Sequence, residues 1–500
     1  MDKNYSRHHQ KKFHFVIGYG MLSIMSICAV FSFPKMPTPV IPEAVEDHAV
    51  EDDVLAPTPD DFLDINRTEF FVSETGSDSN PGSEDKPWKT IQKCAKTLTA
   101  GQTCHVFEGY YPEHVTMQKS GTEGSPITFR AVGKVTMNGF TVRADYITID
   151  GFEITDTEDY WETGWGIFYQ GAYGIIQNNY IYYATRGGIT VFASTGNETN
   201  TNHVEVKNNR LYRNALVGIE VHGRDNLVEG NEIWGTIQHH PKSTEVNGND
   251  ADGISFFGSG HLIRKNYIHD ILYGIPENIN PHIDCFQTWS DAHKEAASNV
   301  IIEQNHCVNL QAQSAYEVGQ GFMMGNAADL IIRNNLIEAF RGANIIKNSQ
   351  NILIINNTFI GNPDGALVSF YPNAVGFNHS SSGGVVNNIF FNFISTMINA
   401  DYQSKIRLTV INNNAYRVDG NELVDLSNYP DNLWGLDPMF VDPSNDDYRL
   451  QPDSPLIDRG IDFSSMQPGY SMEYDFSDRP RLQGAGYDIG AFEFQPDMGG

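Results

Sequence analysis

IIQNNYIYY (residues 175–183), VEVKNNRLY (204–212), LVEGNEIW (227–234), LIRKNYIHD (262–270), IIEQNHCVN (301–309), LIIRNNLIE (330–338), LIINNTFIG (353–361), GVVNNIFFN (384–392) and TVINNNAYR (409–417) are versions of one unit. Each is a short apolar strand, a polar turn with asparagine, and a second short strand. The shared asparagines are Asn179, Asn209, Asn231, Asn266, Asn305, Asn335, Asn357, Asn388 and Asn413, spaced by 30, 22, 35, 39, 30, 22, 31 and 25 residues. The shortest spacing, 22, occurs twice and is taken as one bare coil, with the excess elsewhere as loop insertions. Such a period predicts an all-β parallel β-helix, with coils about 4.8 Å apart. Asparagine suits the turn because it tolerates left-handed backbone, and stacked asparagines can hydrogen-bond along the axis.

A second strand column follows the turn: WGIFY, GGITV, GIEVH, DGISFF, DCFQTW, GFMMG, GANIIK and GALVSF. If Ile167, Ile189, Ile219, Ile254, Phe286, Phe322 and Ala343 point inward, then Phe168, Thr190, Glu220, Ser255, Gln287, Met323 and Asn344 form an outward row. Outer faces of solenoids are where ligands commonly bind.

Working outward, Met1 to Lys12 is basic and Phe13 to Pro34 gives 22 residues without Asp, Glu, Lys or Arg. Residues 1–35 therefore read as a signal sequence or signal-anchor that exports the body and supplies its only membrane contact. Residues 36–66 carry nine acidic residues, five prolines and no Lys or Arg, the composition of an extended acidic linker. The β-helix is expected over 67–435, and 436–500 as a segment packing on its end. An exported body permits disulfides: Cys94–Cys104 is the expected pair, and Cys285 and Cys307 are either bonded or free.

The 500 residues hold 33 Lys+Arg against 62 Asp+Glu, a formal charge of −29. That excludes a nucleic-acid binder, which needs a basic face. Hydrophobic content of 40% excludes disorder of the whole chain, and 45 Gly with 23 Pro exclude a helical bundle. An acidic polysaccharide would have to be met through a bridging cation or a local basic groove.

The body resembles the right-handed parallel β-helix proteins of the pectin-lyase-like superfamily, of the secreted bacterial type. FFVSETGSDSNPGSEDKPWKTIQKC, AGQTCHVFEGYYPEHV and GTEGSPITFRA are similar to the opening of such chains, and DPMFVDPSNDDYRLQPDSPLIDRG with YDIGAFEF to their ending. The resemblance implies a short N-terminal capping helix and covers roughly Phe70 to Phe494. The superfamily hosts lyases, hydrolases, epimerases and non-enzymes, so activity must be argued from the site.

Nine of the 16 histidines and the two longest coil spacings fall between His203 and His306. Three coils there place acids near one column: Glu220, Asp252 and Asp284, flanked by His222 and His282, with Asp250 beside Asp252. Paired carboxylates supply acid and base in glycoside hydrolysis, and acids on adjacent coils lie about 5 Å apart. The order is also similar to polygalacturonase-type glycosidases: NDADGI offers Asp252, IDC offers Asp284, VGQGFMMGN offers Gln320, and GANIIKN offers Lys347, with Ile283 and Gln320 standing where that pattern has Asp and His. Elimination instead needs a base and a neutraliser for a uronate carboxylate, for which Arg186, Arg341, Lys347, His222 and His282 are available. Asp250, Asp252 and Asp284 are candidate ligands for calcium, a hard cation that prefers oxygen. Trp289, near Gln287, is the expected sugar platform. His261 and His269 read as surface or turn residues, and His239–His240 as a solvated loop or a metal site. The leading expectation is an exported polysaccharide hydrolase using Asp252, Asp284 and Glu220; the alternatives are a calcium-dependent lyase and a non-catalytic glycan-binding solenoid.

Overall fold

A computed structural model describes residues 67–496, apart from 195–199, 244–249, 273–274, 279–280, 292–293, 312–318, 339–343, 362–373, 394–395, 422–425 and 464–471. The leader, the linker and Arg341 lie outside the described residues. Among the described residues no helix is long and apolar enough to cross a membrane.

The chain winds as a right-handed parallel β-helix in which each strand pairs, in parallel, with the equivalent strand one coil on. The pairing is in strict register: Ile176, Val206, Val228, Ile263, Ile302, Ile332, Ile354, Val385 and Val410 follow one another through successive coils. All nine are buried and run as a column down the interior. The helix Ile91–Thr97 lies at the N-terminal end, its first turn capped by the Thr90 hydroxyl, which accepts from the Lys93 amide. Cys94, on that helix, is disulfide-bonded to Cys104.

The asparagine ladder is present at every expected position. Nδ2 of each asparagine donates to Oδ1 of the next at 2.9–3.0 Å from Asn179 through Asn209, Asn231, Asn266, Asn305, Asn335, Asn357 and Asn388 to Asn413. Each Oδ1 also accepts the backbone N–H of the preceding rung, as Asn266 does from Asn231 at 3.0 Å. Asn432, which the spacing did not reveal, adds one more rung. The left-handed residue is not the ladder asparagine but the one before it: Asn178, Asn208, Gly230, Lys265, Gln304, Asn334, Asn356, Asn387 and Asn412 all have φ between 52° and 68°. The Asn-Asn pairs thus divide two tasks, the first residue turning the chain and the second bonding along the axis.

The second column makes a sheet of Trp165–Tyr169, Gly187–Val191, Val217–Val221, Asp252–Phe256, Ile283–Thr288, Gly319–Gly325 and Asn344–Lys347. The expected outward row is found from Phe168 through Thr190, Glu220, Ser255 and Gln287 to Met323. Its last member is off by one. Met323 pairs with Ile345, while buried Asn344 accepts the Phe322 amide on its Oδ1, which places its side chain outside the outward row.

A glycine column explains how this sheet turns its entry residues outward. A Cβ on Gly166, Gly188, Gly218, Gly253 or Gly321 would strike the side chains of Ile181, Leu211, Ile233, Ile268 or Ile337 at 2.3–2.7 Å. These positions face the core, although the next residue does too. The residue before each glycine is left facing away from the core: Val217, Asp252 and Gln320. In one coil Cys285 replaces the glycine and Cys307 the facing isoleucine, and the two are disulfide-bonded.

The C-terminal segment folds over the coils through buried charge. Arg481 pairs with Glu493 and also donates to Asn334 Oδ1 at 2.7 Å on the β-helix. Burial, with Glu493 nearby, pushes the Asp488 carboxyl up to about 7.

Replacing Asn266 by Ala leaves the buried Asn231 N–H without its acceptor, removes one of three acceptors of its Nδ2, and should cost about 2–3 kcal/mol. Urea unfolding of Asn266→Ala reads that loss, and an unchanged midpoint would mean the ladder is not stabilising.

Candidate functional site

Asp252 opens its strand and Asp284 is the second residue of the next, and their stacking follows from the pairing of Ile254 with Phe286. The Asp284 amide donates to Asp252 Oδ1 at 3.0 Å, and Gln287 Nε2 donates to Asp284 Oδ2 at 2.9 Å. The side chain of Asp284 therefore lies on the outer face with Gln287, as the glycine column requires. Gln320 is the next member of the column, in register with Asp284. All three aspartates of the cluster titrate high. Burial comes first for each; then Asp284 and Asp250 raise Asp252, and Asp250 raises Asp284. Burial also raises Asp250, opposed by His282 and Lys294.

The expected column of three acids is two acids. Glu220 is in register with Ser255, whereas Val217 is in register with Asp252, so Glu220 belongs to the neighbouring outward row. There it is buried beside His222, whose Nε2 lies 2.8 Å from Glu220 Oε1. His282 sits at the rim, largely exposed, with Nδ1 3.9 Å from Asp250 Oδ1.

Lys294 is the residue that the sequence reading missed. Its Nζ lies 2.7 Å from Glu220 Oε2, 4.1 Å from the Phe257 ring centroid and 4.3 Å from that of Trp289. It comes from the insertion after Trp289, where nothing local in HKEAAS marks one lysine as special. Burial alone would raise Glu220; Lys294 and His222 outweigh it and hold the carboxyl at about 2. Trp289 stands on edge against Phe257, with Lys294 over its ring.

Lys347 is exposed, paired with Gly325 one coil beyond the Ile283–Thr288 and Gly319–Gly325 pair. His261 is not a surface residue: it is buried, with Nε2 2.8 Å from the Phe257 carbonyl, and burial lowers it to about 4. His269 is stacked between Trp234 and Tyr267.

Among the described residues no three His, Cys, Asp or Glu side chains close round one point as a finished metal site. The donor set nevertheless fits a hard cation. Asp252 Oδ2, Asp284 Oδ1, Gln287 Oε1 and Gln320 Oε1 are buried oxygens without a hydrogen-bond partner, all from neighbouring positions of one outer face. Buried oxygens left unpaired are costly, and a cation satisfies several at once.

Comparison with known proteins agrees with this fold. Residues 70–267 match a family model described as the Pel9A-like, right-handed β-helix region. Pectate lyase PEL9 of Emericella nidulans is 22% identical over 270 residues, 52% of this chain and 59% of that protein. The uncharacterized protein YwoF of Bacillus subtilis is 43% identical over 61 residues, 12% of this chain and 13% of its own length. The matches thus span less than two thirds of either relative. Of solved structures, pectate lyase Pel9A superposes with a TM-score of 0.47 at 18% identity, covering 85% of this chain and 96% of that one. A complex of XylC with xylose gives 0.49 at 13% identity over 85% and 98%.

Because the folded state holds Asp252 and Asp284 protonated above their usual range, they favour folding at low pH. That contribution is lost as pH rises from the ordinary aspartate value of 3.8 through the raised folded values. Asp284→Asn should therefore unfold at higher urea than the parent at pH 8, with the gap closing near pH 4. Equal or lower stability of the variant at both pH values would contradict this.

Proposed function

We propose that the chain is a polysaccharide lyase that cleaves a uronate-containing polymer by elimination. The observation that carries the reading is Lys294, seated on Glu220 beside a face whose buried oxygens fit a hard cation. The match of residues 70–267 and the similarity to a protein named as a pectate lyase support the substrate class.

Asp252, Asp284, Gln287 and Gln320 would hold a divalent cation such as calcium, with Asp250 at the rim. When bound, that cation neutralises the substrate carboxylate and so acidifies the proton on the adjoining carbon. Lys294 Nζ takes that proton. The C–H electron pair becomes the new C=C bond while the bond to the glycosidic oxygen breaks, and the departing oxygen takes a proton from solvent. Glu220 and His222 orient the amine, and the faces of Phe257 and Trp289 restrict its motion.

Hydrolysis is the second reading, and the Asp252–Asp284 pair favours it. Carboxyls on adjacent coils stand about 5 Å apart, near the retaining separation, and burial raises both above the usual aspartate range. Export is part of the proposal: the apolar leader supports it, and so do two disulfides in the described body.

Lys294→Arg keeps a cation for Glu220 but cannot become a neutral amine. On a polyuronate with calcium, unsaturated-sugar absorbance should fall by about 10²–10⁴-fold in this variant. Absorbance unchanged in Lys294→Arg would remove Lys294 as the base. Reducing ends without absorbance in the parent would move the assignment to the carboxyl-pair hydrolase.

A further inference from the structure

The outward column that holds Asp252, Asp284 and Gln320 also runs the other way, through Val217 and Gly187 to Trp165. The Trp165 indole lies over Gly187, where a Cβ would strike it at 2.1 Å. With Phe168, Val217 and Phe192 it forms an apolar cluster on the outer face. The face is thus polar at the carboxyl pair and apolar on its N-terminal side. The turn 155–164, which leads into Trp165, packs on this cluster: Trp161 stands edge-to-face with Phe192, ring centroids 6.0 Å apart. From Phe192 a file of rings runs toward Lys294, with centroid spacings of 5.6 Å to His222, then 4.8 Å to Phe257 and 4.8 Å to Trp289. Each step is one coil, and Lys294 lies over the last two rings. Phe192 is therefore about 10–15 Å from Lys294 along the axis, farther than one sugar ring reaches.

The turn is braced within itself. The Gly164 amide donates to the Tyr160 carbonyl at 2.8 Å, the Thr163 hydroxyl donates to Glu158 Oε2 at 2.8 Å, and Glu162 pairs with Arg143. A Cβ on Gly164 would strike the Tyr160 carbonyl at 2.5 Å, so the turn closes only on glycine. It presents two neighbouring rings to solvent: Tyr160 is 71% exposed and Trp161 47%. The Arg186 guanidinium lies over one side of the Trp161 ring, 5.7 Å from its centroid. Single exposed aromatics are ordinary on a protein surface, but an adjacent pair on a braced turn beside a site is not. A sugar has an apolar C–H face and a polar rim, which suits aromatic rings standing at the edge of water. Because the turn is already ordered, stacking there would cost little loop entropy.

We propose that Tyr160 and Trp161 form a platform for a sugar ring of the same polysaccharide chain, remote from the bond that is cleaved. The inference rests on the uronate reading above and adds to it an outer subsite on the N-terminal side of the carboxyl pair. What the platform recognises is the C–H face of the ring and not its charge. Neither Tyr160 nor Trp161 touches the reacting bond.

Calorimetry with uronate oligosaccharides from dimer to hexamer, in the presence of calcium, tests it. Binding by the parent should tighten with length. For the hexamer, Tyr160→Ala and Trp161→Ala should each weaken binding about ten-fold, the scale of one lost aromatic contact. The dimer, too short to span from the carboxyl pair to the turn, should bind the variants and the parent alike. Tyr160→Phe and Trp161→Phe keep a ring and should bind the hexamer nearly as the parent does. Trp161 also packs on Phe192, so Tyr160→Ala, at the more exposed ring, carries the test if Trp161→Ala loosens the turn. Parent-like binding of the hexamer by either alanine variant, or an equal loss for dimer and hexamer, would overturn the inference and leave the lyase reading standing. So would parent binding that does not tighten with length. A parent protein that ignores uronates at every length would overturn both.

Discussion

Each rung of the asparagine ladder satisfies a buried backbone amide and a buried backbone carbonyl of the coil before it, as Asn266 does with the Asn231 amide and the Val228 carbonyl. The turn can therefore be buried without leaving polar backbone unpaired, which a stacked solenoid would otherwise do at every coil. The ladder also fixes register. A slip of one residue would take Nδ2 out of reach of the next Oδ1 and reverse the faces of both adjoining strands. Everything at the site depends on this, because Asp252, Asp284 and Gln320 converge only by holding the same place in three successive coils.

The second constraint is steric. Glycine faces the core where the site sheet begins, since any Cβ there meets an aliphatic side chain of the facing strand. Two consecutive inward positions leave the preceding residue outside. The scaffold has thereby made an outward row that can carry chemistry at no cost to the core. Burial of that row raises the two aspartates, while Lys294 and His222 hold Glu220 charged a short way off. One face thus shifts its carboxyls in opposite directions, the kind of divergence that marks functional sites.

The coil repeat made the fold legible, and with it the ladder asparagines and the outward row from Phe168 to Met323. These depend on short-range periodicity, which a sequence displays directly. The pairing of Asp252 with Asp284 was legible for the same reason. The placement of Glu220 was not: its distance from the strand entry differs from that of the aspartates, and the extra inward residue at the glycine column is invisible to a simple alternation. Lys294 was missed as a site residue because an insertion brings it in, and an insertion carries no periodicity to say where it folds back. His261 was misplaced since a histidine after Gly-Ser-Gly looks like a turn residue until its hydrogen bond to the Phe257 carbonyl is seen.

The central claim is that the outward oxygens of these coils form a cation site whose carboxyls release protons when it fills. Calorimetric titration of the whole protein with calcium near pH 7, in two buffers of different ionisation enthalpy, measures both quantities at once. The account predicts a saturable site, proton release on binding, and loss of both in Asp252→Asn. Absence of binding, or binding that releases no protons and survives Asp252→Asn, would contradict it.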